Sequence, residues 1–126
     1  MARVVLDSSV LIALLNVHDR HHQSAVDATQ SRNEFLISAI SLSECLVARF
    51  RDSKEAAEST LVGIRKVADV IDVDLEIAMI ASEKRASSAL KTPDAIISAT
   101  ATREKAALWT FDKKLALAHP KSKLLR

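Results

Sequence analysis

Short apolar, β-branched runs alternate along the chain with longer stretches whose apolar residues recur at helical spacing. Arg3 to Leu6 predicts a first strand. Val10, Leu11, Leu14 and Leu15 then share one face of a helix over Ser9–Leu15. His18 to Gln30 predicts a loop leading into a weakly amphipathic helix. Phe35 to Ala39 predicts a second strand, followed by a helix from Ser41 to about Arg51 with Leu42, Cys45, Leu46 and Phe50 on one side. Lys54 to Lys66 continues as another helix, and the looser alternation of Val67, Val70 and Val73 predicts a third strand. Asp74 to Ala89 has a wide apolar face, which predicts a well-buried helix. Thr92 caps a helix with Pro93 in its first turn, running to about Lys105. Ala107 to Phe111 predicts a fourth strand, Asp112 to Ala118 a short helix, and Lys123 to Leu125 an edge strand. Strands that alternate with helices predict an α/β sandwich of three layers around a mostly parallel sheet of four to five strands.

Composition narrows the class. A chain of 126 residues with 48% apolar content is read as one domain, 1–126, able to bury about two-thirds of its unfolded surface. Only one Gly and two Pro occur, so the turns rest on Ser, Asp and Asn. The single cysteine, Cys45, forbids an internal disulfide, fits a reducing cytoplasm and falls on an apolar helix stripe, which assigns it to the core. Asp7 interrupts the N-terminal apolar run, so neither a signal peptide nor a membrane span is expected. No Gly-rich phosphate loop is present.

Four acidic residues stand at the seams of these elements: Asp7 in VVLDSSVLIALL, Glu44 in ISLSECL, Asp94 in TPDAIISATA and Asp112 in WTFDKKLA. In an open parallel sheet the strand ends that feed helices lie along one edge, where ligands bind. Each acid has an ordinary explanation as well. Asp7 and Asp112 suit helix N-caps, Ser41 and Glu44 match a capping box, and Asp94 lies in a first helical turn where negative charge is favoured. Their combination points further. Carboxylates about 4 Å apart repel by roughly 4 kcal/mol per pair at an effective dielectric near 20. A divalent cation removes that cost, and oxygen-only ligands suit Mg²⁺ or Mn²⁺.

These four segments together resemble a PIN-domain ribonuclease of the VapC toxin type. They occur in that family's order and span nearly the whole chain. The resemblance implies a PIN-like fold and an endoribonuclease that hydrolyses phosphodiester bonds of RNA, with Mg²⁺ or Mn²⁺ activating the attacking water. It implies Asp7, Glu44, Asp94 and Asp112 as the metal-site acids, with the hydroxyls of Ser9 and Thr110 orienting them. It also implies a toxin of a type II toxin–antitoxin pair, with a cognate antitoxin as partner and a homodimer as the assembly. Some relatives carry a further acid or Asn four residues after the last Asp, where this chain has Ala116. That departure leaves one ion or two open.

Other features carry less. Net charge is +2, but Lys105, Lys113, Lys114, Lys121, Lys123 and Arg126 concentrate positive charge late in the chain. A basic tail beside an acidic cleft would suit a polyanion; a solvated surface is the plain alternative. Phosphate contacts are assigned to Arg49, Arg51, Lys91, Lys113 or Lys114. Phe35, Phe50, Trp109 and Phe111 are assigned to the core. His18, His21 and His22 beside Asp19 lack the further ligands of a zinc site. A dehalogenase-type phosphatase needs a second Asp where Ser9 stands, and a receiver domain needs an early acidic pair. A housekeeping RNA-processing nuclease and a non-catalytic RNA- or protein-binding module are the remaining alternatives, and the small size favours the toxin.

Overall fold

The computed structural model describes residues 1–126. Its first half runs β1 (Arg3–Leu6), α1 (Ser8–Leu15), α2 (His22–Thr29), β2 (Glu34–Ser38), α3 (Ala39–Asp52), α4 (Lys54–Val67) and β3 (Asp69–Ile71). The second half runs α5 (Leu75–Ala86), α6 (Thr92–Arg103), β4 (Ala107–Thr110), α7 (Lys113–Ala118) and β5 (Ser122–Leu124). The five strands form one sheet in the order β3-β2-β1-β4-β5, and every pairing is parallel. The α/β sandwich expected from the sequence is therefore present, with a sheet that is parallel throughout.

Strand residues alternate between two cores. Val4, Leu6, Phe35 and Ile37 point into a cluster with Val10, Leu11, Cys45 and Ile64 from α1, α3 and α4. Val5, Leu36 and Leu108 point the other way, against Ile77, Ala95, Ile97, Ala99 and Leu115 from α5, α6 and α7. Both faces of the sheet are covered, which is why its strands read as continuous apolar runs. Each fully buried Val, Leu or Ile contributes roughly 1.5–3 kcal/mol. Helix α6 buries Ala95, Ser98, Ala99 and Ala101, so its backbone lies close against the strands.

Several expectations need correction. The N-cap of α3 is Ser38, whose hydroxyl accepts from the Ile40 N–H at 3.2 Å. Ser41 lies inside the helix, fully buried, so Ser41 and Glu44 do not form a capping box. Lys91, not Thr92, occupies the N-cap of α6. Helix α5 ends at Ala86 and is not well buried: Leu75 is 79% and Met79 65% exposed, and only Ile77 and Ala81 are sealed. Phe50 is 57% exposed rather than core, whereas Phe35 and Cys45 are buried.

The strand order also places a crevice. From β1 the chain winds outward through β2 to β3, then returns by α5 and α6 to β4 on the other side of β1. The winding direction reverses between β1 and β4. In parallel α/β sheets a crevice opens outside the carboxyl ends of the strands at such a point. Asp7 follows β1 and Asp112 follows β4, so the two residues flank it.

Candidate active site

Asp7 continues the sheet for one residue, donating its N–H to the Trp109 carbonyl at 3.0 Å. Its own carbonyl accepts from Val10 and Leu11, so it stands at the N-cap of α1. The side chain makes no cap bond. Instead Oδ2 accepts from the Ser9 hydroxyl at 2.7 Å and the Thr110 hydroxyl at 2.7 Å. Asp7 is 4% exposed, yet no side-chain oxygen in the molecule is sealed from solvent without a partner. Oδ1 accepts no hydrogen bond and is therefore not sealed from solvent. One oxygen is held and the other is free.

The two hydroxyls are themselves fixed. Ser9 Oγ accepts from the Phe111 N–H at 3.1 Å, and Thr110 Oγ1 accepts from the Asp112 N–H at 2.9 Å. Ser9 and Thr110 thus tie the start of α1 to the end of β4 around Asp7. Asp112 behaves as the N-cap of α7, its Oδ1 accepting from Lys114 at 2.8 Å and Leu115 at 3.4 Å. Its Oδ2 has no partner among the hydrogen bonds.

Glu44 projects from α3 and is exposed. Its Oε1 accepts from the Ser8 hydroxyl at 2.7 Å, and Ser8 also shares a 2.9 Å hydrogen bond with Ser41 Oγ. Ser8 is a functional candidate that sequence reasoning missed, and Ser41 meets Ser8 instead of capping α3. The available signal was the doubled hydroxyl after Asp7; the partners lie 33 and 36 residues away, beyond the reach of local patterns.

Asp94, half-buried in the first turn of α6, feels the charges of the other three acids. Its carboxyl is raised above the ordinary value, first by burial and then by the charges of Asp7, Asp112 and Glu44. Lys114 alone works in the opposite direction. None of the four acids forms an ion pair with a Lys, Arg or His. No three His, Cys, Asp or Glu side chains stand in an ion-ligating arrangement as they are. Mutual repulsion favours such a spread. The donor set itself suits a hard divalent cation: carboxylate oxygens, hydroxyl support behind Asp7, and no paired base.

The remaining candidates are dispersed. His21 stacks on Phe111 with ring centroids 4.2 Å apart at 11°, His22 Nδ1 meets the Ala13 carbonyl at 2.7 Å, and His18 is exposed. Arg49 donates to the Leu15 carbonyl at 3.0 Å. The late lysines do not form one basic tail. Lys113 and Lys114 open α7 beside the crevice, Lys105 and Lys121 precede β4 and β5 at the other sheet edge, and Lys123 lies over Trp109 at 4.9 Å. Burial lifts the Cys45 thiol to about 12, with Glu44 and Asp7 adding to the effect, so it carries no thiolate chemistry.

Comparison with known proteins agrees with this architecture. The chain is similar to a toxin–antitoxin complex from Klebsiella pneumoniae at 27% identity and TM-score 0.77, over 95% of each chain. It is similar to the sarcin–ricin-loop-cleaving toxin VapC20 of Mycobacterium tuberculosis at 23% identity and TM-score 0.75, over 91% of this chain and 94% of that one. A third likeness is to VapBC2 of Rickettsia felis bound to a promoter DNA fragment, at 20% identity and TM-score 0.75, over 96% and 97%. No curated protein sequence matches. The PIN domain model matches residues 4–119, from the first strand to the turn before the last. The chain belongs to the PIN-domain family.

Proposed function

We propose that the protein is a Mg²⁺- or Mn²⁺-dependent endoribonuclease and the toxin of a type II toxin–antitoxin pair, built as a single PIN-like domain. The observation that carries this reading is a group of four carboxylates from four separate elements that act on one another through their charges, without yet standing in a ligating arrangement. Their charges act on Asp94, and no ion pair compensates them. Asp7, Glu44, Asp94 and Asp112 would hold the ion. A divalent cation there supplies Lewis acidity toward a phosphoryl oxygen and makes a water acidic enough to attack phosphorus.

The chain's own residues do the rest. Ser9 and Thr110 keep Asp7 Oδ2 in one place, so its free oxygen is presented in a fixed direction. Ser8 does the same for Glu44. Preset ligands of this kind avoid reorganisation when charge develops on the reacting phosphate. Lys114 and Lys113 stand at the rim, where ammonium groups attract an RNA backbone.

Two apolar surfaces support the partners. Beside Glu44 a groove of about 590 Å³ runs between α1 and α3, lined by Ile12, Leu15, Val17 and Cys45. A second apolar groove on the other side of α3 is lined by Leu42, Leu46 and the exposed Val47 and Phe50. An antitoxin segment with apolar residues and a basic end would suit the first groove and the acids next to it. The exposed Leu75 and Met79 on α5 would be covered in a homodimer.

The test is cleavage of purified cellular RNA with Mn²⁺ or Mg²⁺ by wild type and Asp94→Asn, with a chelator control. Metal-dependent cutting that falls by at least about a hundredfold in the variant is expected. Equal cutting by both proteins would remove the acids from the mechanism, and metal-dependent melting without cutting would leave a binding module.

A further inference from the structure

A second charged site lies at the opposite edge of the sheet, and nothing in the nuclease reading uses it. A cavity of about 360 Å³ opens where the chain enters β4 and β5, lined by Lys84, Lys105, Lys121, Thr102 and His119. No carboxylate lines it. None of the three lysines pairs with an Asp or Glu elsewhere.

We propose that this cavity is an anion site that takes the dianionic phosphate group of a phosphomonoester. Three lysines line one small space, and lysine serves such sites as a point charge. The cavity falls within the range of small-molecule pockets, roughly 300–1,000 Å³, so there is room for the group that carries the phosphate.

His119 adds a directed donor. It is 4% exposed, and its Nδ1 lies 2.7 Å from the hydroxyl of Ser98, which is fully buried. The Ser98 hydroxyl has no other acceptor, which favours the tautomer in which it donates to Nδ1 and the ring proton is on Nε2. Nε2 has no partner in the protein and no unpartnered side-chain nitrogen is sealed, so it keeps some access to solvent, and His119 is one of the residues that line the cavity. Burial, aided by Lys84, lowers the imidazole to about 4, so at neutral pH it gives a hydrogen bond and not a charge.

Lys105 supports the same conclusion from the backbone. It is the only non-glycine residue with positive φ, at 53°. It occupies the position after the α6 C-cap where Gly or Asn is favoured, in a motif closed by Ala106 N–H to the Ala101 carbonyl and Lys105 N–H to the Thr102 carbonyl. A long cationic side chain there is not the choice of local propensity.

The phosphate could belong to a free small molecule or to the 5′ end of an RNA. The experiment follows the His119 ring resonances of the full chain in EDTA, which keeps divalent ions from the acidic edge. Inorganic phosphate, adenosine monophosphate and a 5′-phosphorylated trinucleotide are titrated at constant ionic strength, with adenosine and the unphosphorylated trinucleotide as controls. Saturable shifts with the phosphate-bearing probes alone are expected, weakened about tenfold to a hundredfold in Lys84→Met/Lys121→Met, whose fold is checked by its amide spectrum. The tighter of the two organic probes identifies the source. Shifts that do not saturate, that appear with the controls, or that survive unchanged in the double variant would overturn the proposal. Because metal and cleavage play no part, the result is independent of the nuclease reading.

Discussion

The two edges of the sheet treat carboxylates in opposite ways. At the amino edge, Arg3 pairs with Glu34 at 3.3 Å and Glu104 at 3.0 Å, and Arg103 reaches Glu104 and Asp74 at 2.6 Å each. Glu104 sits below the ordinary glutamate value: burial pushes it up, but Arg103 and Arg3 outweigh that. At the carboxyl edge Asp7, Glu44 and Asp112 have hydroxyl or backbone partners, Asp94 has neither, none of the four has an ion pair, and Asp94 is raised. Acids that only stabilise a fold acquire a base. Acids left with neutral donors keep their charge available, and that is the signature of a site where a cation would act.

After the loss expected for Asp94→Asn itself, the largest effect comes from the hydroxyls that take the place of bases. Thr110 is fully buried and bridges the Asp7 carboxylate and the Asp112 N–H. Thr110→Val keeps the shape and removes both bonds. Ribonuclease activity should fall by about 10–100-fold, the usual consequence of losing a group that orients a metal ligand. The metal concentration for half-maximal activity should rise with it. Unchanged activity and metal dependence would show that Asp7 needs no such support.

The next pair of variants sets the edges against each other in metal-free buffer. Arg103→Ala removes a base shared by Asp74 and Glu104 and should lower stability by about 1 kcal/mol, the partly exposed pairs being screened by solvent. Glu104 has a depressed folded value, so this contribution is full above the ordinary 4.5 and lost as pH falls through the folded value. Asp94→Asn should do the reverse and raise stability by about 0.5–2 kcal/mol, as relief at strained functional sites commonly does. Asp94 has a raised folded value. The cost of its charge is full above that value and absent below the ordinary 3.8, so the gain should vanish in acid. Urea melts of wild type and both variants across acid and neutral pH measure both signs. A destabilised Asp94→Asn at neutral pH would mean that its carboxylate is a helix-terminal asset and not part of a repelling group.

Legibility in the sequence follows the same division between local and distant causes. The runs RVVL, EFLIS and ALWT announce buried parallel strands because both faces are covered. Asp7, Asp94 and Asp112 stand out because each follows or opens an apolar element. What stayed hidden depends on partners far along the chain. Ser41 resembles half of a capping box, but Ser38 holds the α3 cap and Ser41 meets Ser8 instead. The apolar character of α5 predicts burial, yet only Ile77 and Ala81 are fully covered and Ile80 partly so, while Leu75 and Met79 face solvent. The late lysines look like one tail in sequence and are parted by β4 and β5 in space.

The smallest expected effect concerns the amino edge alone. The chain's one glycine, Gly63, lies within α4 with open space where a Cβ would be, while the left-handed position at φ 53° is given to Lys105. A non-glycine residue there costs about 1–2 kcal/mol, and glycine would return part of that to unfolded-state entropy. Lys105→Gly should therefore raise stability by about 0.5 kcal/mol, read from urea melts, and leave RNA cleavage untouched. If the cavity it lines takes phosphate, the same change should weaken phosphate binding while the fold becomes more stable. That opposition would put the amino edge in the same class as the carboxyl edge, where a charged side chain is kept at a cost to the fold. A variant that gained stability and bound phosphate equally well would leave Lys105 out of the anion site and confine that trade to the acids.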